Sequence, residues 1–324
     1  MLNVALTGLG LALLLVGGEA VVRGAVAAAR RLGISPLVIG LTVIGFGTSA
    51  PELVVSVEAA LSGAPALAVG NVLGSNIANI LLIVGIAALL SPLVVHPDAL
   101  RRDGVVLLLV TLAFPLVALN GGIGRAEGLV MVGLLIAYIA GSIWSDRRHA
   151  GPTAELHREE VEGFTAALPR SGWVIALFIL AGLAALVGGA QLAVTGATAL
   201  AREAGISETV IGITLVAIGT SLPELSTAIA AARRGNSDVC IGNIIGSNLF
   251  NILGVAGASA IAAPLPFDDP LAVVDLWIML GVTALLMAFM LTGQRIVRRE
   301  GCVLLALYGV FIAFQFLAGG GVSA

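Results

Sequence analysis

Charged residues are scarce in this sequence, and lysine is absent. Only 11% of its 324 residues are charged and all sixteen basic residues are arginine, whereas 59% are hydrophobic and the mean hydropathy is +1.09. Soluble globular domains average about 25% charged residues. The composition therefore excludes an ordinary soluble domain, predicts an integral membrane protein, and leads us to expect no nucleic-acid partner.

Residues that bind transition metals are also scarce. Cys240 and Cys302 lie far apart without a metal-binding spacing, and we expect both to be small buried side chains rather than a disulfide. His96, His149 and His157 lie in polar loops, and no two of them share the close helical spacing of a zinc site. No nucleophile–base pair or phosphate-binding loop is visible, so we predict neither an enzyme nor a bound cofactor.

Long hydrophobic runs fill the rest of the chain. A helix of about 20 apolar residues crosses the hydrocarbon core of a bilayer, and a helix satisfies its own backbone polar groups there. The ten predicted spans are approximately 4–22, 36–60, 66–90, 104–119, 127–145, 172–200, 207–232, 238–263, 271–291 and 301–318. The first run lacks the basic start and the cleavage site of a signal peptide, so we interpret it as a transmembrane helix.

The arginines are distributed unevenly about these spans. If the chain crosses the membrane at each of them, fourteen of the sixteen fall on one side, and only Arg125 and Arg202 fall on the other. Cytoplasmic loops carry the excess of basic residues. The Arg-rich side is therefore predicted to be cytoplasmic, with both termini outside.

The two halves of the sequence repeat each other at an offset of 172 residues. GLTVIGFGTSAPEL at 40–53 aligns without a gap with GITLVAIGTSLPEL at 212–225, and GNVLGSNIANIL at 70–81 aligns with GNIIGSNLFNIL at 242–253. Five predicted spans separate the copies, and an odd number means that the copies enter the membrane from opposite faces. Inverted repeats of this kind hold the substrate sites of many secondary transporters.

The predicted fold is accordingly an all-α membrane protein with ten transmembrane helices in two inverted-topology five-helix repeats. The predicted divisions are a first repeat at 1–145 with its ion-binding motif at 40–85, a cytoplasmic linker at 146–170, and a second repeat at 171–324 with its motif at 212–257. The linker is too short for a regulatory domain.

Glu52 and Glu224 lie inside apolar runs, where an acid at the bilayer centre costs about 2.5–3.5 kcal/mol. Both are near the middle of their spans, so in antiparallel copies they reach the same depth and can share a cation. Three other acids, Glu19, Glu58 and Asp275, lie toward span ends, and we interpret them as interfacial or structural. The two glutamates are therefore the central candidates for a site.

Hydroxyl groups precede each glutamate at helical spacing. Thr48 and Ser49 lie four and three residues before Glu52 and share its helix face, and Thr220 and Ser221 repeat this arrangement in the second copy. A single serine or threonine in a membrane helix usually bonds its own i−4 carbonyl and would be interpreted as structural. Duplication beside a glutamate favours a ligand.

Proline and glycine add two further expectations. Pro51 and Pro223 lack an amide hydrogen and should kink their helices, freeing the carbonyls of Gly47 and Gly219 as oxygen ligands. Each GNxxGSN motif contains GxxxG, which is typical of close helix packing. Packing and function are both open for the glycines concerned, which are Gly70, Gly74, Gly242 and Gly246.

Hydroxyls and amides recur in the third and eighth spans, where Ser75 and Asn79 are four residues apart, as are Ser247 and Asn251. Together with the glutamates they form an all-oxygen set without His or Cys. Calcium prefers about six to eight oxygen ligands, whereas magnesium requires a tight octahedron. Because one calcium or two sodium ions balance two carboxylates, competition between these ions is a plausible coupling mechanism.

These motifs resemble those of the sodium/calcium exchangers of the cation/calcium antiporter superfamily, specifically the compact bacterial members. The likeness covers essentially the whole chain, and GTSxPE and GNxxGSN occur in both copies. The resemblance implies that the second, third, seventh and eighth helices form the ion-binding core, and that the first and sixth slide across it to alternate access. It also implies a location in the bacterial inner membrane.

The resemblance further implies a set of ligands. It assigns calcium to Glu52 and Glu224 with the carbonyls of Thr48 and Thr220. It assigns sodium sites to Ser49, Ser75, Ser221, Ser247, Asn79 and the carbonyls of Gly45 and Ala217. At Asn251 some relatives have an aspartate that is associated with potassium, so the asparagine argues against a potassium requirement.

The leading hypothesis is therefore sodium/calcium antiport by alternating access, which expels calcium from the cytoplasm. One alternative is calcium/proton antiport, because a carboxylate at mid-membrane can hold a proton, although the GTSxPE form resembles that of sodium-coupled relatives. A second alternative is a passive cation channel, which the apolar, Gly-rich helix ends disfavour. The expected partners are calcium ions, sodium ions and the lipid bilayer, and no protein partner is evident.

Overall fold

The computed structural model describes residues 2–97, 99–148, 171–203 and 217–320, and these residues are mainly helical. The helices are α1 (Leu2–Leu32), α2 (Pro36–Thr48), α3 (Ala50–Leu61), α4 (Pro65–Leu90), α5 (Val105–Ala118), α6 (Arg125–Arg148), α7 (Gly172–Glu203), α8 (Leu222–Arg233), α9 (Ser237–Ala262), α10 (Pro270–Leu291) and α11 (Arg298–Gly320). The strands β1 (Leu93–Val94) and β2 (Arg295–Ile296) pair antiparallel. Residues 149–170 of the predicted linker, with His149 and His157, and 207–216 of the predicted seventh span lie outside the described residues.

Most of the predicted spans correspond to long apolar helices. Among the described residues, seven helices are long and apolar enough to cross a membrane, and an eighth span results if α2 and α3, bent by 44° at their junction, are counted together. The fourth predicted span contains only the shorter helix α5, preceded by a π-helical turn at Ala99–Gly104 that carries three charged residues. The structure therefore confirms a helical membrane protein, and the count of ten helices stays a prediction.

Two helices extend beyond the apolar runs that predicted them. α1 continues past the predicted end at 22 to Leu32, because the alanines and arginines that follow the run favour a helix. α6 continues to Arg148, and in its last turn Asp146 accepts hydrogen bonds from the backbone N and the Oγ of Ser35, at 2.6 and 2.9 Å. The end of α6 is thereby joined to the residue that precedes α2.

α2 and α3 meet at a break beside the first glutamate. Ser49 has φ −85° and ψ 9°, so the helix is interrupted there, and the two axes differ by 44°. Pro51 lies in the first turn of α3, where its missing N–H leaves no helical bond unmade. The second copy is interrupted at the matching residue, Ser221, with φ −88° and ψ 6°. The breaks predicted from the two prolines are confirmed.

α1 and α7 pack antiparallel through glycines. A Cβ at Gly10 would lie 2.6 Å from the carbonyl oxygen of Gly189, and one at Gly17 would lie 2.9 Å from that of Gly182. At the 172-residue offset, Gly10 corresponds to Gly182 and Gly17 to Gly189. Each contact is therefore the counterpart of the other, which is the pattern of an interface between two equivalent halves related by a two-fold axis.

α4 and α9 lie at the centre of the molecule. The apolar segment of α9 is buried and so is most of that of α4, whereas a third or fewer of the residues are buried in the apolar segments of α1, α6, α7, α10 and α11. Cys240 in α9 is buried and forms no disulfide, as expected. Cys302 is also free but exposed, so the prediction that both cysteines are buried is wrong. The reason is that Cys302 lies on α11, a peripheral helix whose large apolar side chains face outward.

Acids outside the motifs make contacts between neighbouring helices. Asp275 in α10 accepts a hydrogen bond from Gln315 Nε2 of α11 at 2.5 Å. At the 172-residue offset it corresponds to another acid, Asp103, which is fully buried. Asp103 is paired with Arg102 and accepts a hydrogen bond from the Tyr138 hydroxyl of α6 at 2.8 Å. These contacts favour the structural interpretation of Asp275.

Candidate cation-binding site

Glu52 and Glu224 occupy the first turns of α3 and α8, directly after the two breaks. Their side chains are 1% and 0% exposed. A carboxylate removed from water in this way needs hydrogen bonds or a counter-charge to offset its lost hydration. The groups around each carboxylate therefore decide what the site can bind.

Each glutamate is bonded by a serine of the other copy. Ser49 Oγ donates a hydrogen bond to Glu224 Oε1 at 2.7 Å, and Ser221 Oγ donates one to Glu52 Oε1 at 3.2 Å. At the 172-residue offset, Ser49 corresponds to Ser221 and Glu52 corresponds to Glu224, so the two bonds are counterparts of each other. The two copies of the GTSxPE motif, far apart in sequence, thus form a single site beside the two helix breaks.

Further hydroxyls line the same region. Thr48 Oγ1 donates to the carbonyl oxygen of Ile44 at 3.0 Å and lies 3.3 Å from Asn243 Oδ1. Ser247 Oγ lies 3.5 Å from both Glu224 Oε1 and the carbonyl oxygen of Gly45. In the second copy, Ala217 begins the helical turn Ala217–Gly219, and Thr220 is half-buried at the break that follows it. All of the predicted GTSxPE ligands therefore lie at or beside the two breaks.

The predicted amides of α4 and α9 reach across to the opposite copy. Asn251 Nδ2 donates to Ser75 Oγ at 3.0 Å, and Asn79 Nδ2 donates to Asn248 Oδ1 at 3.3 Å. Asn79 and Asn251 both lie in π-helical turns, a local geometry that is frequent at functional sites. In both asparagines the amide nitrogen donates to a neighbouring side chain. The amide oxygen of each therefore remains available as an acceptor or a ligand.

Several buried oxygens have no hydrogen-bond donor among the described residues. They are Oε2 of Glu52 and Glu224 and Oδ1 of Asn76, Asn79 and Asn251. Buried polar atoms are nearly always hydrogen-bonded in folded proteins. Acceptors without donors match the needs of a hard cation, since calcium and sodium bind carboxylate, amide and carbonyl oxygens. The side chains present therefore fit an all-oxygen cation site.

Among the described residues, no histidine or cysteine side chain is bonded to this cluster. His96 Nε2 instead lies 3.6 Å from Asp238 Oδ1, near the start of α9. In the part of the chain that the structure describes, no group of three or more His, Cys, Asp or Glu residues could hold a metal ion. The site accordingly has the charge of two carboxylates and the chemistry of neutral oxygen atoms.

The sequence interpretation missed other asparagines of the GNxxGSN motifs, which are Asn71, Asn76, Asn243 and Asn248. Asn71 Nδ2 donates to the backbone oxygen of Glu52 at 3.2 Å and to Ser56 Oγ at 2.8 Å. A signal was present, because Asn71, Ser75 and Asn79 follow one another at intervals of four on one helix face. Ser75 and Asn79 of this face were predicted as ligands, and Asn71 is the next position of the same face.

The GxxxG glycines of the second copy pack against backbone. A Cβ at Gly242 would overlap the carbonyl oxygen of Leu37, and one at Gly246 would overlap that of Leu41. α9 therefore runs alongside α2 in close contact, and the packing interpretation is confirmed for these two glycines. The matching contacts of Gly70 and Gly74 would involve residues 209 and 213, which lie outside the described residues.

The many apolar helices around a buried cluster of oxygen atoms define a membrane transporter. A sequence model of the family described as sodium/calcium exchanger protein matches residues 2–144 and 174–317. The chain belongs to this sodium/calcium exchanger family.

Individual relatives match nearly end to end. The chain is 42% identical to the putative antiporter CaxA of Alkalimonas amylolytica, over 95% of this chain and 96% of that one. It is 35% identical to the sodium/calcium exchanger MaX1 of Methanosarcina acetivorans, over 95% and 97%. A solved structure of the sodium-calcium exchanger NCX_Mj, soaked with zero Na+ and Ca2+, is similar with a TM-score of 0.84 at 33% identity, over 97% and 99%.

Proposed function

We propose that this chain is a secondary active antiporter that exchanges sodium for calcium across the membrane by alternating access. The observation that supports this most directly is the pair of buried glutamates, each bonded by a serine of the other copy and each with one carboxylate oxygen lacking a donor among the described residues. The names of the relatives, an antiporter and sodium/calcium exchangers, favour the same function.

The proposed ligands are the oxygens that surround this pair. They are the side chains of Glu52, Glu224, Ser49, Ser221, Ser75, Ser247, Asn79 and Asn251, and the backbone oxygens of Thr48, Thr220, Gly45 and Ala217. Calcium needs both carboxylates, because a divalent ion in a low-dielectric site requires two negative charges to balance it. Two sodium ions balance the same charge, so sodium entering from one side displaces calcium toward the other.

We further propose ten transmembrane helices in two inverted repeats, divided at 1–145, 146–170 and 171–324. The exchanged contacts of α1 with α7 and of the two serines with the two glutamates support this division. So does the separate match of the family model to residues 2–144 and 174–317.

The decisive experiment is calcium uptake into proteoliposomes that contain the purified protein. A sodium gradient, high inside, should drive uptake of radiolabelled calcium, and magnesium or potassium should not replace the transported ions. A pH gradient in place of the sodium gradient tests calcium/proton exchange. Calcium uptake that needs neither gradient would indicate a channel, and uptake driven only by the pH gradient would contradict sodium coupling.

Ser56 is expected to hold Asn71, and through it the backbone of Glu52, in place. Ser56→Ala leaves the Asn71 amide without its 2.8 Å acceptor, which costs about 1 kcal/mol, or roughly fivefold in affinity. Calcium titration calorimetry on the purified protein measures the change. The control is Ser62→Ala, because that hydroxyl donates only to the carbonyl of Ala59 at the end of the same helix. Equal affinities in the two variants would rule out this role.

We propose that both termini face away from the cytoplasm of a bacterial inner membrane, as the distribution of the arginines predicts. Green fluorescent protein fused after the last residue should then be dark, because it does not mature after export in the unfolded state. Green fluorescent protein inserted instead at residue 160, in the predicted linker, should fluoresce. Bright cells from the first fusion would reverse the proposed orientation.

A further inference from the structure

An ion pair joins α1 to the end of α8. Arg234, at the C-terminal cap of α8, donates through Nε to Glu19 Oε2 at 2.7 Å and also pairs through its Nη2 with Glu19 Oε1. On α1 itself, Arg23 Nε donates to Glu19 Oε1 at 2.8 Å. Arg23 therefore stays with Glu19 wherever α1 moves, whereas Arg234 connects α1 to a different helix.

The residue of α1 before Glu19 is in backbone contact with α8. A Cβ at Gly18 would lie 2.8 Å from the carbonyl oxygen of Ser226, and α1 packs along α8. In the repeat, Gly18 corresponds to Ala190 and Ser226 to Val54. Val54 is 63% exposed, and the described residues of α7 make no comparable contact with α3. In one half of the molecule α1 is thus packed against α8, whereas in the other half the corresponding helices, α7 and α3, are apart.

The sequence breaks the repeat at the ion pair. At the 172-residue offset, Glu19 corresponds to Gln191 and Arg234 corresponds to Ser62. If α7 closed against α3 as α1 now closes against α8, no ion pair would form between these counterparts. The charge interaction therefore belongs to only one of the two arrangements.

We propose that the Glu19–Arg234 ion pair stabilises the conformation in which α1 is closed against α8 and biases alternating access toward it. This inference rests on the proposed transport cycle. In inverted-repeat transporters one bundle moves against the other around a fixed site, and the two halves exchange conformations. A contact made in one state without a counterpart in the other shifts the equilibrium by its own free energy.

The expected bias is moderate and has a definite direction. The side chains of Glu19, Arg23 and Arg234 are partly exposed, with 20–36% of their area accessible. Because exposed ion pairs contribute little free energy, the Glu19–Arg234 pair should change the equilibrium between the two conformations by about two- to fivefold. The distribution of the arginines places Arg234 on the predicted cytoplasmic side. Losing the pair should therefore raise the population of the state that is open to the cytoplasm.

The test measures opening directly, without transport. In a background of Cys240→Ala and Cys302→Ala, Ser226→Cys puts a thiol on α8 opposite Gly18. Inverted membrane vesicles expose the cytoplasmic face to a membrane-impermeant maleimide, and the labelling rate reports the fraction of open molecules. Glu19→Gln and Arg234→Ser, which install the counterpart residues, should each raise that rate about two- to fivefold. The double variant should label no faster than the faster single variant.

The control is Arg233→Ser, an exposed neighbour that should leave the rate unchanged. If Ser226→Cys fails to fold, Ala230→Cys, 8% exposed one turn further along α8, serves as the second reporter. Unchanged rates in both single variants, or single effects that multiply in the double variant, would overturn the proposal. Absent sodium-driven uptake in the unaltered protein would instead refute the proposed function, and the two failures are therefore distinguishable.

Discussion

Glu52→Gln and Glu224→Gln should each lower sodium-driven calcium uptake by on the order of a hundredfold or more. Removing one partner of a buried charge interaction costs about 2–5 kcal/mol, and 3 kcal/mol is roughly a hundredfold. Glutamine keeps the shape of the side chain, but it removes half of the negative charge. It also places an amide N–H₂ where the carboxylate oxygen now has no donor among the described residues. Uptake into proteoliposomes measures the loss.

Thermal stability separates loss of the site from loss of the fold. Without cations, two buried carboxylates in one site destabilise the protein, so Glu52→Gln should raise its melting temperature. Calcium should raise the melting temperature of the unaltered protein by mass action and should fail to do so in the variant. The control is Glu58→Gln, an exposed acid of the same helix, which should keep both uptake and the calcium-dependent shift. Near-normal uptake by Glu52→Gln would remove this carboxylate from the site.

The second large effect is expected at Gly246, where α9 touches α2. Gly246→Ala introduces a Cβ that would overlap the carbonyl oxygen of Leu41 and lie 2.6 Å from its Cα. Since backbone rather than a flexible side chain stands in the way, the helices must separate, at a cost of about 3 kcal/mol. Thermal unfolding in detergent should shift downward by several degrees. Uptake should fall as well, because the neighbouring Ser247 bonds Glu224.

The matched control is Gly281→Ala on the outer face of α10. Apart from the neighbouring backbone of its own helix, no atom of the described residues lies within 4 Å of a Cβ at that position, and alanine is the better helix former. This variant should be as stable as the unaltered protein or slightly more stable. Equal stability of the two alanine variants would show that α2 and α9 tolerate a larger separation than the structure indicates.

The motifs and the internal repeat allowed much of this structure to be predicted from the sequence alone. Proline chemistry is local, so Pro51 and Pro223 predicted both helix breaks, which the structure has at Ser49 and Ser221. Hydropathy identified seven spans that appear as long helices among the described residues and an eighth that is broken between α2 and α3, because each span satisfies its own backbone. The end of α1 was predicted too early, because its last turns are held by helix propensity and by packing against α7, where Gly24 meets Ile179, rather than by hydropathy.

Which residues meet across the site was decided by the tertiary structure. Helical periodicity placed Ser49 on the face of Glu52, yet its hydroxyl bonds Glu224, 175 residues away. Periodicity describes one helix at a time, whereas this bond depends on where packing places the end of α2 relative to the start of α8. The sequence by itself thus determined a membrane protein with two buried acids in a repeat, because composition and spacing are properties of the chain. Helix packing decided that the two acids share one site, because only packing sets distances between residues so far apart.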